Sequence, residues 1–217
     1  MTSDELPQNG PTLGLSGWFS GKGAGVEPSA RALSALCRRL DLRRIGRPMC
    51  LRRAGGALAL SLLAESHLAW TRTAPGMVSL TLFSCVALDT AWVERAAAPL
   101  LGAGRWRWAA RGPAAVGRPG PAPTPSGARW LLSHPDPDGA CAALRARLPP
   151  GPERLHAFSP HGRTLARRLP DGLVVVHTWP EHGLLTVDLD GSAPERLGAL
   201  LAALALRPLP EAPGQPA

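Results

Sequence analysis

The sequence predicts an α+β protein built from a duplicated layer unit, in which helices cover one face of each sheet. One observation is the segment 112–128, whose five Pro and four Gly in 17 positions form neither a helix nor a paired strand. The other is that a strand, a helix, several strands and a helix are indicated in that order on both sides of it. We therefore predict a first repeat over 1–111, a linker over 112–128 and a second repeat over 129–217.

The first repeat begins with a helical pattern that opens at Pro28. Its apolar positions share one helix face: Leu33, Leu36, Cys37 and Leu40. Short apolar runs at 57–64 and 77–86 are typical of strands, and a second helix is predicted at about 91–102.

The second repeat contains two further helical patterns. Either Asp136 or Asp138 can cap a helix that runs to Leu148. The last pattern runs from Pro194 to about Leu206. Both helices flank the strands of this repeat in the chain.

Two strands are predicted between these helices, at 172–178 and 183–189. The first holds the β-branched run Val174 to Val176, and turn-forming residues follow it in HTWPEHG. In the second, apolar and polar side chains alternate: Leu185, Val187 and Leu189 with Thr186, Asp188 and Asp190. This period of two predicts a half-buried strand with one polar face.

Composition narrows the class of protein. A chain of 217 residues that is 45% apolar can bury a sizeable core. The histidines form no metal-ligand pattern. The cysteines lack C-x-x-C spacing, which argues against a zinc ribbon or a disulfide scaffold: Cys37, Cys50, Cys85 and Cys141. No apolar run approaches the roughly 18 residues of a membrane helix. We expect a soluble, cytoplasmic protein without a metal or membrane partner.

The net charge of +8 raises the question of a nucleic-acid partner. The chain has one Lys, one Ile, one Asn and no Tyr, all residues with AT-rich codons, so its many Arg indicate a GC-rich genome. Arg pairs at 38–39, 43–44, 52–53 and 167–168 are dispersed and lack interleaved aromatic residues. This pattern favours a solvated basic surface, and we predict no nucleic-acid partner.

Three short motifs stand out: Ala64-Glu65-Ser66-His67-Leu68, Phe83-Ser84-Cys85 and His177-Thr178-Trp179-Pro180-Glu181. They resemble the pyruvoyl-dependent S-adenosylmethionine decarboxylases, whose bacterial members carry ESHL, HTWPE and FTC in one short repeat. Here the signature is divided. The first repeat has TRTAP where HTWPE would stand, and the second has Asp171-Gly172-Leu173 where ESHL would stand. Such division is similar to the fused, two-repeat members of the family.

The resemblance extends to the spacing around the motifs. Thr164 lies 13 residues before His177, and Phe158 lies six before Thr164. Phe19 stands in the F-x-G context of a second family Phe. The resemblance implies adenine stacking by Phe19 and Phe158. It also implies two antiparallel sheets with helices packed on their outer faces, as in an S-adenosylmethionine decarboxylase-like sandwich.

The residue types fit the chemistry that the resemblance implies. Ser66 can attack the carbonyl of Glu65, and β-elimination and hydrolysis of the resulting ester leave a pyruvoyl cofactor at position 66. His177 would remove the Hα of the ester, and the Thr164 hydroxyl would hold the oxyanion. Cys85 would then donate a proton to the substrate carbanion after a Schiff base has formed.

Substrate binding is assigned to four residues. Glu181 offers two acceptors for vicinal ribose hydroxyls, and Phe19 and Phe158 can sandwich adenine near the sulfonium. Glu65 is grouped with them. The partner is then S-adenosylmethionine, and the product is the aminopropyl donor for spermidine and other polyamines. One active site would lie between the halves of a pseudo-dimer within the chain, with a homodimer of chains left open.

Other interpretations remain open from the sequence. Ser66, Cys85, His177, Thr164 and the two Phe can be ordinary structural residues, and His67 is more readily structural than catalytic. The pyruvoyl chemistry also suits a decarboxylase of ornithine or arginine. A third alternative is an uncleaved, non-catalytic paralogue that regulates an active partner.

Overall fold

The computed structural model divides into two compact units. Unit 1 comprises Met1–Gly112 with Asp171–Leu173, and unit 2 comprises Pro113–Pro170 with Val174–Ala217. The residues described are 14–20, 27–53, 56–63, 66–74, 77–83, 89–102, 104–111, 127–158, 162–190, 194–204 and 206–208.

The described residues of unit 1 form one six-stranded sheet and two helices. Its elements in chain order are β1 (Gly14–Ser20), α1 (Ala30–Arg39), β2 (Arg44–Arg53), β3 (Gly56–Leu63), β4 (Ser66–Ala74), β5 (Met77–Phe83), α2 (Thr90–Leu101) and β6 (Arg105–Arg111). The strand order is β2-β3-β4-β5-β1-β6, and every neighbouring pair is antiparallel.

Unit 2 repeats this plan. Its elements are β7 (Gly127–Ser133), α3 (Pro137–Arg147), β8 (Glu153–Ala157), β9 (Arg163–Arg168), β10 (Leu173–Trp179), a 3-10 turn (Pro180–His182), β11 (Leu184–Asp190), α4 (Pro194–Ala203) and β12 (Arg207–Pro208). The strand order is β12-β7-β11-β10-β9-β8. Taken from β8, this order matches unit 1 strand by strand. The predicted α+β class with two antiparallel sheets and packed helices is confirmed.

Side-chain caps define the helix starts. The Ser29 side chain accepts the Ala32 N–H at 3.2 Å, and Asp89 accepts the Ala91 N–H at 2.9 Å. Asp136 caps α3, which leaves Asp138 in the first turn. The longest described helix, α2, has 12 residues, and within the described ranges no helix is long and apolar enough to cross a membrane.

Each sheet packs one face against its own two helices. In unit 1 the core joins α1 and α2 to alternate strand residues such as Ala59 and Leu63 of β3. In unit 2 it joins α3 and α4 to Val174 and Val176 of β10 and to Leu185, Val187 and Leu189 of β11. The period of two predicted for β11 therefore sets which side chains face the helices.

The prediction that the polar face of β11 is exposed is wrong. Thr186 and Asp188 are 0% exposed and Asp190 is 1% exposed. Leu173 and Val175 of the adjacent strand β10 face the same side and are also buried. Alternation reports the two faces of a strand, but it does not report which faces are covered.

The predicted linker extends too far at its C-terminal end. Gly127 and Ala128 belong to β7, where they pair with Asp190 and Leu189 of β11. Backbone pairing to an existing strand stabilises an extended conformation even at a glycine. Residues 112–126 lie outside the described part of the chain.

Candidate active site

A buried hydrogen bond joins two of the residues predicted to be catalytic. The Oγ1 atom of Thr164 on β9 lies 2.8 Å from Nδ1 of His177 on β10, and both residues are 0% exposed. A threonine hydroxyl can donate to or accept from an imidazole nitrogen, so the contact orients the ring in either tautomer. The His177 ring also lies 5.9 Å from the Trp179 ring.

Strand alternation places this pair on the sheet face away from the helices. Val176 and Leu165, the chain neighbours of His177 and Thr164, belong to the core that includes α3 and α4. Successive side chains of a strand point to opposite faces, so His177 and Thr164 share the other face. Because β9 and β10 are adjacent, the 13-residue spacing seen in the sequence becomes a direct contact.

Phe158 directly follows β8, in the segment that connects β8 to the Thr164 strand β9. Its N–H donates to the Gly162 carbonyl at 3.2 Å, just beyond the end of β8. A Cβ on Gly162 would lie 2.4 Å from the Phe158 ring, and its φ of +127° is a conformation that favours glycine. The Phe158 ring therefore packs closely against Gly162, and the residue is half-buried.

His156 is a residue on the Thr164 face to which sequence analysis gave no role. It pairs with Thr164 across the β8–β9 ladder and is half-buried. Paired residues of antiparallel strands share a face, so Thr164 has a histidine on each flanking strand. The register of the hairpin is the signal that identifies it, since its sequence context has no metal-ligand spacing.

Phe19 occupies a different setting. It is 1% exposed, belongs to the apolar core of unit 1 and lies 5.2 Å from the Trp106 ring. A Cβ on Gly104 would lie 2.3 Å from the Phe19 ring, so the backbone there packs closely against it. The structure places Phe19 and Phe158 in separate units, and their pairing around adenine stays a prediction.

Ser66 is the first residue of β4, opposite Leu63 of β3, and is partly exposed. The adjacent His67 is buried and stacks on Phe83 at 5.8 Å with an interplanar angle of 11°. Two other predicted site residues, Glu65 and Cys85, lie outside the described part of the chain.

Glu181 lies in the 3-10 turn that links β10 to β11, and it is exposed. The turn ends at Gly183, whose φ of +61° is left-handed and whose N–H donates to the Pro180 carbonyl at 3.1 Å. The Gly183 carbonyl accepts the His134 N–H at 2.9 Å. The carboxylate of Glu181 is thus presented on a short, closed turn, four residues after His177.

A polar network lies on the opposite face of the same two strands. The hydroxyl of Thr178 donates to Asp138 Oδ1 at 2.6 Å and accepts the Arg163 N–H at 2.8 Å. The Arg163 Nε atom lies 3.2 Å from Asp138 Oδ2. The sequence indicates Asp138 only as a candidate helix cap, because a contact 40 residues away in the chain has no local signal.

Burial, followed by the negative charge of Asp138, raises the pKa of Cys141 to about 11. This thiol therefore stays protonated at neutral pH and is a poor nucleophile.

Among the described residues, no group of three or more His, Cys, Asp or Glu side chains is placed to hold a metal ion.

Comparisons with known proteins find similarity to S-adenosylmethionine decarboxylases. Residues 139–193 match the family model described as S-adenosylmethionine decarboxylase, a segment that includes Thr164, His177 and Glu181. The S-adenosylmethionine decarboxylase proenzyme of Aquifex aeolicus (strain VF5) is 50% identical over 34 residues, which are 16% of this chain and 25% of the relative. The chain thus spans about a quarter of the length of the curated relative that it matches.

A solved structure is also similar. The crystal structure of the adenosylmethionine decarboxylase from Aquifex aeolicus VF5 aligns with 48% of this chain and 93% of its own, at 20% identity and a TM-score of 0.35.

Proposed function

We propose that this chain is a pyruvoyl-dependent S-adenosylmethionine decarboxylase. The matches confirm its predicted resemblance to the S-adenosylmethionine decarboxylase family. The chain would cleave itself between Glu65 and Ser66 and supply the aminopropyl donor for polyamine synthesis. The observation that carries the proposal is the buried contact of 2.8 Å between Thr164 and His177. It lies within the segment that matches the family model.

Self-cleavage assigns a role to each member of this pair. The Ser66 Oγ atom attacks the Glu65 carbonyl carbon, and the C–N bond breaks to give an ester. The Thr164 hydroxyl donates to the oxyanion of the cyclic intermediate. His177 then removes the Hα of residue 66, the Glu65 carboxylate leaves, and hydrolysis of the resulting enamine releases ammonia.

The position of Ser66 suits a prosthetic group made from the chain itself. Ser66 is the first residue of its strand and is partly exposed, so its side chain is reachable at a strand end. The pyruvoyl group supplies a carbonyl that withdraws electrons from a bound amine substrate as its carboxylate leaves. Cys85 is proposed as the proton donor to the carbon that loses the carboxylate.

Glu181 and Phe158 are proposed to bind the nucleoside part of the substrate. Glu181 is exposed at the end of the strand that carries His177, so two carboxylate oxygens are free to accept ribose hydroxyls. Phe158 offers a half-buried ring just after β8, the strand that pairs with the Thr164 strand β9. Phe19 is less suited to this role, because its ring is buried in the core of unit 1.

Intact-mass spectrometry of the purified protein tests self-cleavage. We expect a small fragment that ends at Glu65 and a larger one that begins with a blocked residue 66. A single unprocessed chain would contradict the proposal and favour a non-catalytic paralogue.

Release of carbon dioxide from labelled substrates tests the substrate. We expect release from S-adenosylmethionine. If the cleaved protein acts on ornithine or arginine instead, the assigned substrate is wrong and the pyruvoyl chemistry stands.

A further inference from the structure

Asp138 of α3 contacts both strands that carry the Thr164–His177 pair. It accepts a hydrogen bond from Thr178, the residue after His177, at 2.6 Å. It also pairs with the side chain of Arg163, the residue before Thr164, at 3.2 Å. The network and the catalytic pair therefore lie on opposite faces of the same short stretch of β9 and β10.

The network also joins β9 directly to β10. The backbone N–H of Arg163 donates to the Thr178 hydroxyl at 2.8 Å. The Thr178 hydroxyl can keep this acceptor geometry because its own proton is given to Asp138. The relative position of β9 and β10 at this point thus depends on a side chain held by α3.

Asp138 is poorly explained as a stabilising residue alone. Its ion pair with Arg163 is partly solvated, with side-chain exposures of 28% for Asp138 and 45% for Arg163, and such pairs contribute little to stability. The N-cap of the same helix is Asp136, whose Oδ1 atom accepts the Gly139 N–H at 2.9 Å. Helix capping is therefore provided without Asp138.

We propose that Asp138 is a positioning residue for self-cleavage: its hydrogen bond to Thr178 holds β10 against β9 so that Thr164 and His177 stay in contact. This inference rests on the proposed function. If the Thr164 and His177 side chains move apart by as little as about 1 Å, a reaction that requires both groups is expected to slow.

Three variants separate this role from helix stability. Asp138→Ala removes the acceptor of the Thr178 proton, and Asp138→Asn removes the charge but keeps an amide oxygen as acceptor. Asp136→Ala is the matched control, because it removes the N-cap of α3 and leaves the Thr178 network intact. Tm is measured for all three, so that rates are compared at known stability.

The rate of Ser66 cleavage is the first measurement. We expect Asp138→Ala to slow it by about 10- to 100-fold, and Asp138→Asn to remain within about threefold of the unaltered protein. Asp136→Ala should cleave at nearly the original rate despite a lower Tm. Equal slowing by Asp136→Ala and Asp138→Ala at similar Tm would overturn the proposal.

The second measurement is the 15N NMR signature of the His177 imidazole in the uncleaved Ser66→Ala protein. The Thr164 contact fixes the environment of Nδ1, so we expect its shift to change in Asp138→Ala and to return in Asp138→Asn. This NMR measurement does not require Ser66 cleavage. If the unaltered protein never cleaves, the proposed function fails while the imidazole shifts still support or overturn the positioning role. Unchanged shifts in Asp138→Ala would overturn it.

Discussion

Two matching strand pairs carry different side chains in the two units. In unit 2, Thr164 of β9 contacts His177 of β10 across 13 residues of sequence. In unit 1, the corresponding strands β3 and β4 pair Leu58 with Thr71, again across 13 residues. Both pairs are buried, so the same backbone position holds a polar contact in one unit and a Leu–Thr contact in the other.

At a second pair of matching positions, the polar side chain is in unit 1 and not in unit 2. Five residues before Thr71 stands Ser66, and five residues before His177 stands Gly172. A duplicated fold with one reaction needs only one cleavable serine and one base. A buried histidine needs a polar partner to offset its desolvation, whereas Leu58 and Thr71 need less compensation. Under the proposed function, each unit would carry one half of the set of residues that the reaction needs.

The largest expected effect comes from removing the imidazole, the proposed general base, from the Thr164–His177 pair. His177→Ala should slow Ser66 cleavage by as much as about 10⁴-fold, because general-base catalysis typically contributes 10²- to 10⁴-fold. Denaturing electrophoresis over time measures it. Thr71→Val is the matched control in unit 1 and should leave the rate unchanged. Cleavage of His177→Ala at the original rate would show that the base lies elsewhere.

Loss of the partner hydroxyl should have a smaller effect. Thr164→Val removes the proposed oxyanion donor and should slow cleavage by about 10²- to 10³-fold. Thr164→Ser keeps the hydroxyl and should restore most of the rate. If Val and Ser variants cleave alike, the Thr164 hydroxyl has no part in the reaction.

Glu181 has no carboxylate counterpart in unit 1, where Pro75 stands four residues after Thr71. Glu181→Gln should raise the KM for S-adenosylmethionine by about 10- to 1000-fold, since hydrogen bonds to a charged group contribute about 1.5–3 kcal/mol each. Ser66 cleavage should remain intact. The exposed neighbour His182, changed to Gln, is the control. An unchanged KM in Glu181→Gln would rule out the proposed contact with ribose.

The smallest effect concerns ion pairs that differ between the units. Glu153 of unit 2 binds both Arg145 and the nearly buried Arg167, while Glu27 of unit 1 pairs with the exposed Arg52 at 2.8 Å and, more distantly, with Arg72 at 3.7 Å. Hydrogen bonds from Arg145 and then Arg167 lower the pKa of Glu153 to about 2. Glu153→Gln should reduce the free energy of unfolding at pH 7 by about 1 kcal/mol, and Glu27→Gln by less than about 0.5 kcal/mol.

The sign of the pH dependence follows from that lowered pKa. A carboxyl that is more acidic when folded stabilises the protein above its unfolded pKa of about 4.5, and the contribution falls as pH drops towards 2. Urea unfolding at pH 7 and pH 3 measures the difference. The gap between the unaltered protein and Glu153→Gln should narrow at pH 3. A constant gap would show that the carboxylate charge is not responsible.

Local sequence signals predicted the helices well. The pattern from Pro28 corresponds to α1, and Asp136 caps α3 as one of the two alternatives considered. Capping and helical periodicity act over about four residues, so a short window contains them. The strands β3, β5, β10 and β11 were also predicted, because each holds an apolar or alternating run.

Other strands have no such local signal. The arginine-rich strand β2 is interrupted between Ile45 and Met49, near Gly46 with a φ of +68°. Its extended conformation depends on pairing with β3, for example Met49 with Leu60. Hydrogen bonds between strands, rather than side-chain pattern, stabilise such a segment.

The sequence by itself determined the residue types of the site, the division of the motifs and the 13-residue spacing of Thr164 and His177. Tertiary structure alone decided that this spacing becomes a buried contact, and that Asp138 and His156 adjoin it. It also decided that Asp188 and Asp190 are buried. The physical reason is that strand register and burial depend on residues distant in sequence, whereas motif chemistry and helix capping depend on near neighbours.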